Sequence, residues 1–240
     1  MHHSVIIVAG GIGSRMNSAI PKQFMQLSGR PVLFYTIEAF FNWNTGVQII
    51  VVLPENQYNE WGKLIKQYSF KISHKICPGG NTRFHSVQNG LKLIEEEDTI
   101  VAIHDGVRPL IGSKMIQNCY DAAALKGAAI PAIALKDSIR IVSQDSSNKA
   151  VNRNDYRIIQ TPQCFKASIL KTAYKQSYNS AFTDDASVVE AAGNSIELIE
   201  GDQENIKITT GADLLYAETL IKRQSILSAS NCSNTNTGIR

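Results

Sequence analysis

The order of apolar segments predicts an α/β fold built on a doubly wound, mainly parallel sheet, and three observations carry that reading. Strand-like and helix-like patterns alternate with short connections through the first 134 residues. The run at residues 5–9 is apolar and β-branched almost throughout, as in a strand buried on both faces. Three polar stretches, at 10–22, 78–86 and 104–109, each follow a strand-like run, so they converge on the edge where such sheets bind ligands.

Each element has its own signal. After residues 5–9 the chain breaks into Gly10, Gly11 and Gly13. Residues 31–41 place Val32, Leu33, Ile37, Phe40 and Phe41 at helical spacing, with Pro31 suited to the first turn. Residues 47–53 read as a second buried strand, stopped by Pro54. In 57–68, Trp61, Leu64, Ile65 and Tyr68 share one helical face, which reads as core. A short strand at 71–77 leads to Pro78-Gly79-Gly80-Asn81-Thr82-Arg83, a second glycine turn opening a helix with Val87, Leu91 and Leu93. Residues 99–103 form a strand running straight into His104-Asp105-Gly106-Val107-Arg108-Pro109. A helix at 114–124 and a strand at 128–134 follow.

Beyond Leu135 the pattern changes. Residues 138–143 alternate as a strand, 144–148 are polar turn material and 149–152 begin a return strand, which together predict a protruding β-hairpin arm. An isolated two-stranded ribbon is marginal in water, so the arm rests either on its own domain or on a second copy of the chain. Thr161-Pro162-Gln163 precedes a helix at 166–178. Thr183-Asp184-Asp185-Ala186 starts another, with Thr183 or Asp184 as N-cap and Asp185 read first as a helix-start acid. A strand at 196–200, an extended piece at 205–208 and a helix at 213–226 follow, with a serine- and asparagine-rich tail, 228–240, expected to be disordered. Residues 1–227 thus form one domain, including the arm at about 136–157.

Composition narrows the function. With 240 residues, 43% hydrophobic and 19% charged, the chain has the material for one substantial core. A net charge of +3 without a basic block argues against nucleic acid. The four cysteines, Cys77, Cys119, Cys164 and Cys232, are dispersed and suit free thiols in a reducing compartment. The absence of a long apolar run or a signal-peptide pattern argues against a membrane and predicts a cytoplasmic protein. His2 and His3 are assigned no role.

The first glycine turn carries the chemistry. Gly10, Gly11 and Gly13 let the backbone approach a ligand and aim amides at it, while Arg15 and Lys22 add cations suited to phosphate oxygens. The turn lacks the Gly-Lys-Ser/Thr ending of a P-loop, and Met16 stands where the dinucleotide fingerprint needs a small residue. A tight turn with no ligand is the plain alternative. Similarly, Asp105 has an internal reading, bonding Arg108 or capping its turn, and His104 reads as a satisfied structural histidine.

The series Ala9-Gly10-Gly11-x-Gly13-x-Arg15-Met16, Pro21-Lys22-Gln23, Gly79-Gly80, His104-Asp105-Gly106-x-Arg108-Pro109, Thr161-Pro162-Gln163, Thr183-Asp184-Asp185-Ala186 and Asn205-Ile206-Lys207-Ile208-Thr209 resembles the 2-C-methyl-D-erythritol 4-phosphate cytidylyltransferase family. The motifs run in order over nearly the whole chain. The resemblance implies a Rossmann-like nucleotidyltransferase that uses CTP and a sugar-alcohol phosphate, needs Mg²⁺ or another divalent cation, and releases pyrophosphate. It also implies a homodimer whose arms reach the partner's site.

By the same resemblance, Arg15, Lys22 and Lys207 are the catalytic cations, and Ala9, Gly10, Gly11, Gly13, Gly80, Asn81 and Ser86 bind the nucleotide. Asp105, Arg108, Arg153, Thr161 and Thr183 bind the second substrate, with Arg153 and Thr161 donated across the dimer. The metal is held mainly by CTP phosphates, with Asp105 as a further candidate ligand. Asn81 departs from the aspartate common in the family, so a carboxylate contact to the nucleotide is replaced by an amide. No general base is needed, because a phosphate monoester is already largely ionised at neutral pH. Ribitol 5-phosphate is the rival second substrate, and a non-catalytic nucleotide-binding module the rival class.

Overall fold

The computed structural model describes residues 1–10 and 20–234, and only the backbone of 224, 225 and 227–234. Gly11, Gly13 and Arg15, three of the expected site residues, lie outside the described residues. The chain runs β1 (His2–Val8), β2 (Gln26–Leu27), β3 (Arg30–Pro31), α1 (Val32–Trp43), β4 (Gln48–Leu53), α2 (Tyr58–Gln67), β5 (Lys75–Pro78), α3 (Arg83–Leu91), β6 (Thr99–Asp105), α4 (Ser113–Lys126) and β7 (Ala128–Ala134). It continues through β8 (Arg140–Val142), β9 (Asn148–Ala150), β10 (Arg157–Ile159), β11 (Gln163–Lys166), α5 (Ala167–Ala173), α6 (Asp185–Ala191), β12 (Glu197–Glu200) and α7 (Gly211–Asn234).

The main sheet has eight strands in the order β10-β7-β11-β6-β1-β4-β5, with β12 also paired to β7. β1 is parallel to β4 and β6, β4 to β5, and β12 to β7. β10 and β11 alone run the other way, antiparallel to β7, with β11 also antiparallel to β6. The expectation of a mainly parallel, doubly wound sheet holds, but sequence reading missed these two short strands. Their reversal matters, because it brings the start of β11 to the same edge as the carboxyl ends of β1, β6 and β12.

Side-chain alternation along β1 divides the core. Val5 and Ile7 face α1, α2 and α4 through Leu33, Phe34, Trp61 and Ile116. Ile6 faces α3, α5 and α6 through Val87, Leu170 and Val188. Both faces are dry, which explains a β1 with no polar alternation. Pro31 immediately precedes α1, Gly127 with φ of 93° ends α4, and Asp184 with Ser187 forms a capping box on α6. Asp184, one of two candidates, is therefore the N-cap.

β8 and β9 form a separate two-stranded sheet in which every residue is exposed, as expected for the arm. Boundaries shift elsewhere: the strand expected from residue 71 begins at Lys75, and the helix expected to reach 178 ends at Ala173. α7 continues to Asn234, so residues 228–234 of the tail expected to be disordered are helical.

Candidate active site

Gly10, just beyond β1, and the turns after β5 and β6 meet as their topology requires. The Gly106 amide donates to the Val8 carbonyl at 2.9 Å, and a Cβ on Gly106 would lie 2.9 Å from that of Ala9. This close approach requires glycine at the turn after Asp105. On the other side, a Cβ on Gly10 would stand 3.9 Å from Ser86 Oγ, and one on Gly79 3.6 Å from it. Gly10 and Gly79 thus share Ser86 as a neighbour.

Ser86 is also the internal brace of the second turn. Its hydroxyl donates to the Thr82 carbonyl and accepts from the Gly80 amide, each at 3.0 Å. Thr82 caps α3 by accepting from the His85 amide. The Gly80 amide and the Ser86 hydroxyl therefore already have partners within the turn, and a nucleotide contact at these residues would use the Gly80 carbonyl or the remaining lone pair of Ser86 Oγ. Asn81, exposed between them, remains as the outward-facing polar group.

The segment 205–209 closes the site from the far end of the chain. The Ile208 amide donates to the Val107 carbonyl at 2.9 Å, laying this segment on the turn after β6. Lys207 Nζ then reaches Asp105 Oδ2 at 2.9 Å, and Lys22 Nζ donates to the Thr209 carbonyl at 3.0 Å. Lys22, Asp105 and Lys207 are thereby brought into one neighbourhood.

Asp105 is surrounded by cations. Besides Lys207, Arg108 Nε lies 3.3 Å from Oδ2 and Arg83 Nε 3.9 Å from Oδ1. Burial alone would raise the Asp105 pKa, but Arg83, Lys207 and Arg108 together hold it well below the usual carboxylate range. This carboxylate is already compensated, and no group of three His, Cys, Asp or Glu side chains among the described residues could hold a metal. A single carboxylate with three cationic partners is not by itself a Mg²⁺ site, so Asp105 would meet a divalent cation only together with substrate phosphates. A divalent cation fits as part of the nucleotide substrate, carried on its phosphates.

Arg108 is buried and turned inward. Its Nη1 donates to the Asn205 carbonyl at 2.7 Å while Nε faces Asp105. Thr161, also buried, bonds inward as well: its Oγ accepts from the Asp105 amide at 3.1 Å and lies 3.0 Å from His104 Nδ1. Both residues, expected to bind substrate, also position Asp105 and its turn. Asn205 Nδ2 donates to the Thr161 carbonyl at 2.8 Å, fastening β11 to the Lys207 segment.

Neither Arg153 nor Thr183 bonds Asp105, Lys22 or Lys207 among the described residues. Arg153 bonds the Lys136 carbonyl at the base of the arm, and Thr183 is exposed, its amide bonding Ser187. Sequence reasoning missed Arg83 and understated Asp185. Arg83 Nη2 meets Asp185 Oδ2 at 2.6 Å, and the Tyr174 hydroxyl donates to Asp185 Oδ1 at 2.6 Å. Asp185 is fully buried, so it is an ion-pair partner beyond any helix-start role. Arg83 follows the second glycine turn directly, and that position was its available signal.

A mainly parallel sheet with two glycine turns, two lysines and a compensated aspartate at its carboxyl edge is the arrangement of a nucleotidyltransferase. A family model for 2-C-methyl-D-erythritol 4-phosphate cytidylyltransferase matches residues 3–223, and the chain belongs to that family. The enzyme of this name from Phocaeicola vulgatus is 50% identical, over 92% of this chain and 100% of the relative. That from Bacteroides fragilis is 48% identical over the same shares. The crystal structure of the Thermus thermophilus enzyme superposes with a TM-score of 0.75 at 29% identity, covering 92% of this chain and 100% of that one. The 4-diphosphocytidyl-2C-methyl-D-erythritol synthase of Anaerococcus prevotii gives a TM-score of 0.78 at 26% identity, covering 92% and 96%.

Proposed function

We propose that the chain transfers CMP from CTP to 2-C-methyl-D-erythritol 4-phosphate, releasing pyrophosphate, in the non-mevalonate route to isoprenoids. The observation that carries this reading is the placement of Lys207 on Asp105 beside Lys22 at the carboxyl edge of the sheet. A phosphate oxygen of the sugar alcohol attacks the α-phosphorus of CTP. The bond from that phosphorus to the β-phosphate bridging oxygen breaks, and pyrophosphate leaves with the electron pair.

Attack brings two anions together, so the site must supply positive charge. Lys22 and Lys207 offset charge on the transferring phosphate, and Arg15 and the first glycine turn hold the β- and γ-phosphates. A divalent cation such as Mg²⁺, carried on the CTP phosphates, would supply further neutralising charge there. Asp105, kept ionised by its cationic neighbours, accepts a hydrogen bond from a hydroxyl of the sugar alcohol. No side chain needs to remove a proton from the nucleophile.

The exposed arm supports a homodimer in which Arg153, bonded to the Lys136 carbonyl at the base of the arm, serves the partner's site. No helix among the described residues is long and apolar enough to cross a membrane, which agrees with a cytoplasmic enzyme. Pyrophosphate release is to be measured with CTP, Mg²⁺ and either 2-C-methyl-D-erythritol 4-phosphate or ribitol 5-phosphate. Preference for the first is expected; preference for ribitol 5-phosphate overturns the substrate assignment. Light scattering at micromolar concentration is expected to give a dimer, and a fully active monomer would remove the arm exchange.

A further inference from the structure

The three cations around Asp105 differ in freedom. Lys207 is 45% exposed, and the carboxylate is its ion-pair partner. Arg108 is 10% exposed and anchored a second time on the Asn205 carbonyl. Arg83, 31% exposed, is anchored on the fully buried Asp185, whose other oxygen is held by Tyr174. Two guanidiniums are fixed, and one ammonium is free to swing.

We propose that Asp105 holds Lys207 in reserve until the substrate phosphate arrives, and that Arg83 is the positioning residue that lets Lys207 leave. The proposal rests on the reading of Lys207 as a phosphate ligand. A nearly buried carboxylate with few counter-charges binds an ammonium tightly, because losing it would strand a charge. Arg83 and Arg108 remain beside Asp105 when Lys207 departs, so the charge stays compensated. Lys207 exchanges one anion for another, and Asp105 Oδ2 becomes available to a substrate hydroxyl. Arg83 also begins α3, directly after the second glycine turn, so the nucleotide turn and Asp105 are held to one helix end.

The test is a double-mutant cycle on the full chain, using Arg83→Gln, Asp105→Asn and the pair. Calorimetry reads the dissociation constant of 2-C-methyl-D-erythritol 4-phosphate in the presence of Mg²⁺ and a non-hydrolysable CTP analogue. Arg83→Gln is expected to weaken binding about tenfold with Asp105 present, and less than about twofold in the Asp105→Asn background. A purely structural role through Asp185 would weaken binding equally in both. Equal effects, or no effect with Asp105 present, overturn the proposal. Where Arg83→Gln fails to fold, Arg83→Lys, which keeps a cation for Asp185 but lacks the fork that spans both acids, runs the same cycle with the same outcomes. Turnover of Lys207→Ala separates the two ideas. Wild-type turnover would overturn the reading of Lys207 itself; lost turnover beside a neutral Arg83→Gln would overturn the hand-over alone.

Discussion

The Thr161 hydroxyl lies 3.0 Å from His104 Nδ1, and the other imidazole nitrogen fixes what that contact is. His104 Nε2 stands 3.1 Å from the Arg108 carbonyl oxygen, which can only accept, so Nε2 carries the proton. Nδ1 is then an acceptor, and Thr161 donates to it while accepting from the Asp105 amide. A neutral histidine thus links β11 to the turn that aims Asp105.

Thr161→Val removes that donor and leaves a buried imidazole nitrogen and the Asp105 amide without their partner. The expected loss is about 1–3 kcal/mol of stability, the usual cost of unsatisfied buried groups. Thr161→Ser restores the hydroxyl and is expected to lie within about 1 kcal/mol of wild type. Urea denaturation of the three proteins checks both. A valine variant as stable as wild type would show that the hydroxyl bonds contribute nothing.

The same histidine predicts a pH dependence of stability. Burial pushes its pKa from 6.5 down to about 4, against the raising effect of the Arg108 carbonyl bond and the Asp105 charge. Above pH 6.5 the ring is neutral in both folded and unfolded chains and adds no pH dependence. As pH falls from 6.5 towards 4, the unfolded chain takes up a proton that the folded chain refuses, so stability falls, by roughly 3 kcal/mol in all. Burial lowers His3 and His74 as well, so the variant His104→Asn isolates the contribution. Denaturation at pH 7.5 and 4.5 is expected to show a smaller loss in the variant. An unchanged loss would assign the dependence elsewhere. Asp105 acts in a separate window, since its stabilisation is present above the ordinary carboxylate range and lost only in strong acid.

What was legible in the sequence was local. Lys22, Asp105 and Lys207 each sit in a short motif, and β-branched composition placed β1, β4 and β6, with the alanine- and isoleucine-rich run at 128–134 giving β7. What escaped was long-range pairing. β10 and β11 have three and four residues, too few for a period, and their direction depends on partners far away in the chain. Thr161 and His104 are 57 positions apart, and Arg83 and Asp185 are 102 apart. No spacing rule links them, so the internal bonds of Thr161, expected as a substrate contact, could not be read from its motif.

Gly80 and Gly79 are adjacent but not equivalent. A Cβ on Gly80 would lie 2.4 Å from His85 Cβ and 2.9 Å from the His85 carbonyl carbon, both part of the first turn of α3. Gly80→Ala must displace that turn, at a cost of about 1–3 kcal/mol, as is typical of overpacking. It should also weaken CTP binding, because Asn81 and the helix start move together. On Gly79 the nearest atom is Ser86 Oγ at 3.6 Å, an ordinary contact. Gly79→Ala is expected to fold and bind CTP nearly as wild type. Thermal melts and CTP titration of the two alanine variants decide it, and equal behaviour would show that close approach at Gly80 is not what requires glycine.

Lys22 separates stability from turnover. Among the described residues its side chain makes one hydrogen bond, from Nζ to the Thr209 carbonyl at 3.0 Å, and is only partly buried. Breaking such a bond costs about 1 kcal/mol, because water replaces it. Charge that develops on the transferring phosphate has no comparable substitute, and loss of a preorganised donor of this kind lowers kcat about 100- to 1,000-fold. Lys22→Ala is therefore expected to melt close to wild type while nearly abolishing pyrophosphate release. Lys22→Arg keeps the charge but replaces a compact ammonium with a planar fork, so it should recover turnover only in part. Because Thr209 lies two residues beyond Lys207, the alanine variant also frees one end of the segment that carries the second lysine. A rise in the KM for the sugar-alcohol phosphate should accompany the fall in kcat. Turnover near wild type in Lys22→Ala would remove this residue from the reaction.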